Sequence, residues 1–221
     1  MPQPKQPHSG MSAQQRITIR RQQILATAYD VMKAGEWEKL SITLLCEQAA
    51  LNKRYFYESF SDLNAVAVAI FEDLNQQLQQ IALQAIIDAK QQQLQPNELA
   101  LYILGHVIDY LSDETERMMI LFTDQLTGLA LVKHRLVIKD QLISLLVQYA
   151  KQHYQAYENT QDPMIQMTAA LLIGGTVEIL QQWLSGKILM SKQQLMLDLT
   201  ALWQKSGDMT AQIVQQRENS H

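Results

Sequence analysis

From about residue 16 nearly to its end, the chain spaces its apolar residues three and four apart, which is the period of a helix with one buried face. Its five prolines stand at 2, 4 and 7, at 96 and at 163. Inside a helix, proline removes a hydrogen bond and is tolerated only in the first turn. The two intervals between these positions are therefore open to long helices. No stretch combines alternating apolar and polar residues with turn signals at its ends, so strands are not expected. The predicted fold class is all-α.

Caps and stripes divide the pattern. A first helix spans about residues 17–34, with Ile24, Leu25, Ala28, Val31 and Met32 on one face and Gly35 just past its end. Ser41 is placed to cap a short helix reaching Gln48, and Asn52 another reaching Ser59. Ser61 is placed to cap a long helix rich in glutamine. There Leu74, Leu78, Ile81, Ala85 and Ile86 keep the stripe, so the glutamines read as its wet face. Pro96 starts a helix to about Leu111, and Asp113 opens a short one near 118–121. A long helix follows through 139–154. Asp162-Pro163 begins the next, which ends near Ser185-Gly186, and Ser191 caps the last, to about Trp203. The domain map is a disordered tail at 1–15, a small N-terminal domain at 16–62, a larger body at 63–206 and a flexible tail at 207–221.

Charge singles out the N-terminal domain. The net charge is −4, but residues 1–60 hold eight Lys/Arg against five Asp/Glu, and all the excess acid lies beyond them. A basic part on an acidic body suits local contact with phosphate, although charge alone would also fit a chance asymmetry. Cys46 is the only cysteine and cannot form an internal disulfide. With no apolar leader and no run of eighteen apolar residues, the expected setting is cytoplasmic, away from membranes.

Residues 41–60, SITLLCEQAALNKRYFYESF, carry the function. Two short helices flank a tight connection at Ala50-Leu51, and Leu45, Ala49, Leu51 and Phe56 are spaced to share a small core. This is a helix-turn-helix pattern, though any two packed short helices would share its bare outline. Its second helix would present Lys53, Arg54, Tyr55 and Tyr57 near its start. Basic side chains there can reach phosphates and base edges in a major groove, with Thr43 and Arg20 or Arg21 gripping phosphate.

The wider stretch, residues 20–74, resembles the N-terminal domain of the TetR family of transcriptional regulators. Arg21, Ile24, Leu25 and Ala28 follow that family's R-x-x-I-L-x-x-A, and Gly35 stands at its helix-ending glycine. Residues 45–60 align without a gap to I-A-x-x-A-G-V-S-x-x-x-L-Y-x-x-F, keeping Ala49, Tyr57 and Phe60. The departures are specific. Ala50 replaces the turn glycine, at a cost of roughly 1 kcal/mol if that residue must be left-handed. Arg54 and Tyr55 replace a common Gly-Thr pair, and Leu63-Asn64 a charged pair. Further on, Gly174-Gly175, Trp183 to Gly186 and the segment 195–203 resemble the end of such regulators in architecture only.

The resemblance implies a three-helix DNA-binding domain joined to a helical dimerisation and effector-binding domain. It implies a homodimer on a palindromic double-stranded operator and repression relieved by a small molecule. The expected dimer contacts are Gly174, Gly175, Trp183, Leu195 and Leu199. Glycine pairs in an apolar helix allow close approach of another helix, although a kink or tight packing within the chain would also use them. Tyr102, His106 and Tyr110, four apart, with Phe122, could line an effector pocket or simply form core. His106, His134 and His153 lack metal-ligand spacing, so no metal or other cofactor is expected. Cys46 reads as a buried thiol, with redox sensing the alternative, and the ten methionines read as core filler or an adaptable pocket. No phosphate-cradling loop or nucleophile elbow appears, and the chain is not expected to be an enzyme. The departures leave one alternative open: a helical ligand-binding or protein-interaction module that has lost DNA binding.

Overall fold

A computed structural model describes residues 11–94, 96–113, 116, 120–121, 129–154, 157 and 161–220. All regular structure among them is helical. The elements are α1 (Ala13–Lys33), a 3-10 turn (Trp37–Lys39), α2 (Ile42–Gln48), α3 (Lys53–Tyr57), α4 (Leu63–Gln91), α5 (Pro96–Asp113), α6 (Leu129–His153), α7 (Pro163–Leu184) and α8 (Lys192–Glu218). Of the short helix expected near 118–121, Ile120 and Leu121 are helical and buried, while 118 and 119 lie outside the described residues.

The caps explain most boundaries. Ser41, Asn52, Asp162 and Ser191 each accept a backbone N–H of the following turn, as their positions predict. Two starts differ from the sequence reading. Helix α1 begins at Ala13, because Ser12 and Gln15 form a reciprocal capping box. The expected tail therefore gives up its last residues to helix, and residues 1–10 lie outside the described ones. At α4 the cap is Asp62, whose Oδ1 accepts from the Ala65 N–H at 2.9 Å, while the Ser61 hydroxyl donates to Asp62 Oδ2.

The chain divides into two compact units, Met1–Asp73 and Leu74–His221. The division falls inside α4 rather than at 62/63, and Val66, Ala67, Ile70 and Phe71 in its first turns are buried. In the first unit α1, α2 and α3 pack on one another around Ile24, Ala28, Leu45, Ala49 and Phe56. Leu25 and Leu51, expected in that core, are only half-buried.

In the second unit α6 packs on α7, α7 on α8 and α8 on α5. Trp203 Nε1 donates to Thr176 Oγ1 at 2.9 Å, tying α8 to α7, and Lys192 pairs with Asp109 between α8 and α5. Helix α8 does not stop near Trp203. It continues to Glu218, and the flexible tail expected at 207–221 is helical to that point with Thr210 and Val214 buried. In the fold Gly207 is a close-approach site: a Cβ there would lie 2.5 Å from the Tyr154 hydroxyl. Tyr157 donates to the Gly207 carbonyl at 2.8 Å, and its ring packs with Ile165 and Val214.

Farther along, Arg217 reaches Asp162, the cap of α7. The Met164 N–H and this guanidinium together hold the Asp162 carboxyl below its ordinary range. Burial, with Asp208 nearby, pushes the Tyr154 hydroxyl up to about 12, and burial does the same for Tyr157. The unfolded chain loses these protons first, so this corner of the fold loses stability as the pH rises from about 10 towards 12.

Replacing a glycine inside a helix by alanine ordinarily stabilises by up to about 1 kcal/mol. For Gly207→Ala we expect the reverse, a loss of roughly 1 kcal/mol or more, because the new methyl meets the Tyr154 ring. Urea unfolding followed by circular dichroism checks the sign. A gain in midpoint would show that the Tyr154 contact does not constrain α8.

Candidate nucleic-acid interface

The local fold around Ala50 sets the site. Ala49 ends α2, Ala50 adopts a left-handed φ of 51°, and the chain leaves at a new angle towards α3. The Ala50 N–H bonds the Glu47 carbonyl at 3.1 Å and the Leu51 N–H bonds that of Cys46 at 2.9 Å. These two bonds are the Schellman pattern that closes a helix C-terminus. Glycine fills the equivalent position after α1, at Gly35, and after α7, at Gly186. Alanine at position 50 performs the same turn against its conformational preference. From α1, Gln23 adds a bond, its Nε2 donating to the Ala49 carbonyl at 2.6 Å.

Beyond the turn, Asn52 caps α3 through the Arg54 N–H, and Phe56 is fully buried. Phe56 anchors the helix and fixes which way its other residues face. Lys53 and Arg54 stand exposed at its start, and Tyr57 is 59 % exposed with its ring edge against Phe56. Thr43 is also exposed, in the first turn of α2. The sequence-predicted group Thr43, Lys53, Arg54 and Tyr57 is thus solvent-facing on two packed helices.

Arg20 and Tyr55 are arranged differently. The Arg20 guanidinium lies 3.9 Å from the centre of the Tyr55 ring and bonds Glu58 Oε2 at 2.9 Å. Its side chain is mostly covered, and Tyr55 is half-buried. The phosphate grip expected of Arg20 is corrected to an internal clamp between α1 and α3. Tyr55 likewise offers its ring to Arg20. Arg21 remains exposed, its guanidinium 5.0 Å from the Phe60 ring. Glu58 and Gln23 have site roles that the sequence reading missed. For Glu58 the signal was present, since it stands four residues after Arg54, the helical spacing of an ion pair. Nothing local points to Gln23, because its partner is a backbone carbonyl of another helix. Cys46 is buried on the inner face of α2, where burial raises its thiol and nearby Lys53 lowers it by less.

The other predicted groups lie in the second unit. The Tyr102 and His106 rings lie in tilted contact with centres 4.5 Å apart, and His106 Nδ1 sits 2.9 Å from the Tyr102 carbonyl. Tyr110 is buried and donates to the Leu74 carbonyl and Gln77 Oε1, which makes it part of the packed core. Phe122 lies outside the described residues. Two open clefts lie elsewhere: one of about 410 Å³ around Trp183, Ile188 and Leu189, and one of about 580 Å³ along α4 at Gln77, Gln80, Leu83 and Ile87.

Among the expected dimer contacts, Gly174 and Gly175 have open space where a Cβ would be, with no described residue packed tightly against them. Trp183 is half-buried and its Nε1 donates to the Met190 carbonyl. Leu195 and Leu199 are corrected: both point into the protomer at 2 % exposure. Each helical residue turns the direction by about 100°, so Leu197, two positions on, faces nearly the opposite way. It is Leu197, Leu202 and Met209 that stand exposed on α8, with Met167 and Leu171 on α7.

No protein-family model matches this chain, and no curated protein is similar to it in sequence. Solved structures are similar in fold. One is a TetR-like transcriptional regulator from Rhodococcus sp. RHA1, at 16 % identity and TM-score 0.57, over 92 % of this chain and 98 % of that one. Another is a protein assigned to the TetR family of transcriptional regulators from Syntrophomonas wolfei str. Goettingen, at 15 % identity and TM-score 0.65, over 86 % of this chain and 95 % of that one. The fold is that of the TetR-type regulators along nearly the whole length of both chains, as the resemblance in residues 20–74 implies.

The left-handed alanine gives a direct expectation. Ala50→Gly should raise the stability of the first unit by about 0.5–1 kcal/mol, the strain removed less the entropy glycine adds to the unfolded chain. Hydrogen exchange at the Leu45 and Phe56 amides reads this unit directly. Unchanged or weaker protection would mean that Ala50 is not held in the left-handed conformation.

Proposed function

We propose that this chain is a DNA-binding transcriptional regulator, acting as a homodimer on a palindromic operator as a ligand-responsive repressor. The carrying observation is the exposed group Thr43, Lys53, Arg54 and Tyr57 on a packed helix-turn-helix anchored by Phe56. Lysine and tyrosine at such positions suit phosphate, and arginine suits the O6 and N7 of guanine. The fold shared with regulators of TetR type supports the reading. It also suits a chain that carries out no catalysis and works in the cytoplasm.

The dimer part of the reading rests on α7. This helix is long and apolar enough, by length and composition, to cross a bilayer, yet only 22 % of its most apolar window is buried. Gln166, Glu178, Gln181 and Gln182 interrupt it, and it packs sideways on α6 and α8, so we assign its open face to a second copy of the chain. Glycines at 174 and 175 would let the partner helix approach closely. Two-fold pairing would present two recognition helices to half-sites roughly 34–36 Å apart. The half-buried Tyr102–His106 pair is where an amphipathic organic effector would be sought. Such an effector acts only through its differential affinity for the two states of the dimer.

Selection from random duplexes, followed by binding across a salt series, tests the DNA reading. Lys53→Ala should weaken binding to every duplex and reduce the salt slope by about one. Arg54→Ala should relax preference at particular base pairs, costing about 1–3 kcal/mol for the selected duplex. If both folded variants bind like the wild type, α3 is not the reading element.

Sedimentation tests the dimer. The wild type should be dimeric at micromolar concentration, and Gly175→Leu should shift it towards monomer by filling the close-approach site. A monomeric wild type would remove the dimer from the reading.

A further inference from the structure

Glu58, at the C-terminal end of α3, places a carboxylate beside the cations of a surface read as meeting a polyanion. By charge alone it weakens contact with any DNA. Its geometry suggests what it gives in return. Arg20 Nη2 holds Oε2 at 2.9 Å, and Arg20 is itself fixed over the Tyr55 ring at 3.9 Å with its side chain only 21 % exposed. The carboxylate is therefore held from behind by a mostly covered cation that is itself seated on a ring. Its other oxygen, Oε1, stands 3.9 Å from Arg54 Nε, and the Arg54 side chain is 85 % exposed.

We infer that Glu58 is a positioning residue that aims Arg54, so that it sets discrimination between DNA sequences while opposing affinity for DNA in general. This rests on the DNA-binding reading above. A free arginine on a surface samples many rotamers, and each hydrogen bond it makes has to overcome their loss. An anchored anion on the Nε side restricts that sampling. It also leaves the outer edge of the guanidinium, Nη1 and Nη2, as the fork for the O6 and N7 acceptors of a guanine. The base favoured under Arg54 is then guanine. The chain Tyr55, Arg20, Glu58, Arg54 carries the position of α1 through to the reading side chain.

The test uses the full chain and a duplex enriched by the wild type from a random pool, with a scrambled duplex of equal length as the comparison. Dissociation constants for both are measured at one salt concentration for wild type, Glu58→Gln, Arg54→Ala and the double variant. Glu58→Gln should bind the scrambled duplex at least as tightly as the wild type, since a negative charge has gone. Its ratio of enriched to scrambled affinity should nevertheless fall about tenfold, of the order one base contact supplies. In the Arg54→Ala background the same change should alter the ratio less than twofold.

A structural role alone predicts something else: equal losses in both backgrounds, which would overturn the inference. So would an unchanged ratio in Glu58→Gln. If Glu58→Gln does not fold, Glu58→Asp carries the test, because it keeps the charge and withdraws the carboxylate by one methylene. The ratio should then fall with scrambled-duplex affinity unchanged, and an intact ratio overturns the inference. A wild type that enriches no duplex sinks the DNA-binding reading and this inference together. Enrichment with an unaltered Glu58→Gln ratio sinks this inference alone.

Discussion

The turn at Ala50 fixes the direction of α3, and the outward placement of Lys53, Arg54 and Tyr57 follows from that direction. Two backbone bonds, from Ala50 to Glu47 and from Leu51 to Cys46, close α2 and allow no continuation of the helix. The residue between them must be left-handed, and here it carries a side chain. The strain of roughly 1 kcal/mol persists because neighbouring contacts determine the geometry. Phe56 is locked in the core on one side and Gln23 ties the Ala49 carbonyl to α1 on the other. A small unit with one hydrophobic core can hold such a turn only if helices on both sides are packed.

The same economy explains Arg20. A basic residue on the N-terminal helix of a DNA-binding unit invites a phosphate assignment. The fold instead covers its side chain with Tyr55 and pairs it with Glu58. A guanidinium can do both at once, because its face stacks on an aromatic ring while its edge bonds a carboxylate. That leaves Lys53, Arg54 and Tyr57 to face outward from a helix whose back is held by Phe56 and whose flank is held by Arg20. Rigid support behind a few exposed side chains is what a recognition surface needs, since misplacement of a reading group removes its selectivity.

The second unit follows a different logic. Its helices are joined by specific polar ties at their ends and middles, Arg217 to Asp162 and Trp203 to Thr176 among them, while much apolar surface of α7 and α8 stays uncovered. Burial of that surface is worth about 25 cal/mol for each Å² removed from water, so a face of this kind favours association over exposure. The inward rows, Leu195 and Leu199 on α8 and Ile165 and Ala169 on α7, complete the protomer's own core. The outward rows are distinct residues of the same helices.

The sequence by itself determined the helical class, most helix starts and the helix-turn-helix. These depend on local chemistry: the period of apolar residues, capping side chains and the position of glycine and proline. The resemblance placed Ala50 where the family has its turn glycine, and the structure decided that this alanine is left-handed. Only the tertiary structure decided the rest. Arg20 could not be separated from a phosphate ligand without knowing that Tyr55 and Glu58 lie beside it, more than thirty residues away. Leu195 and Leu197 are equally apolar in sequence, and only the neighbours α8 meets decide which is buried. The last turns of α8, from Gly207 on, fall in the stretch expected to be a flexible tail. In the fold, that glycine exists to admit Tyr154, a contact made across more than fifty residues of chain. Local rules act through the backbone within a few residues, whereas these side chains take their roles from partners that only folding brings close.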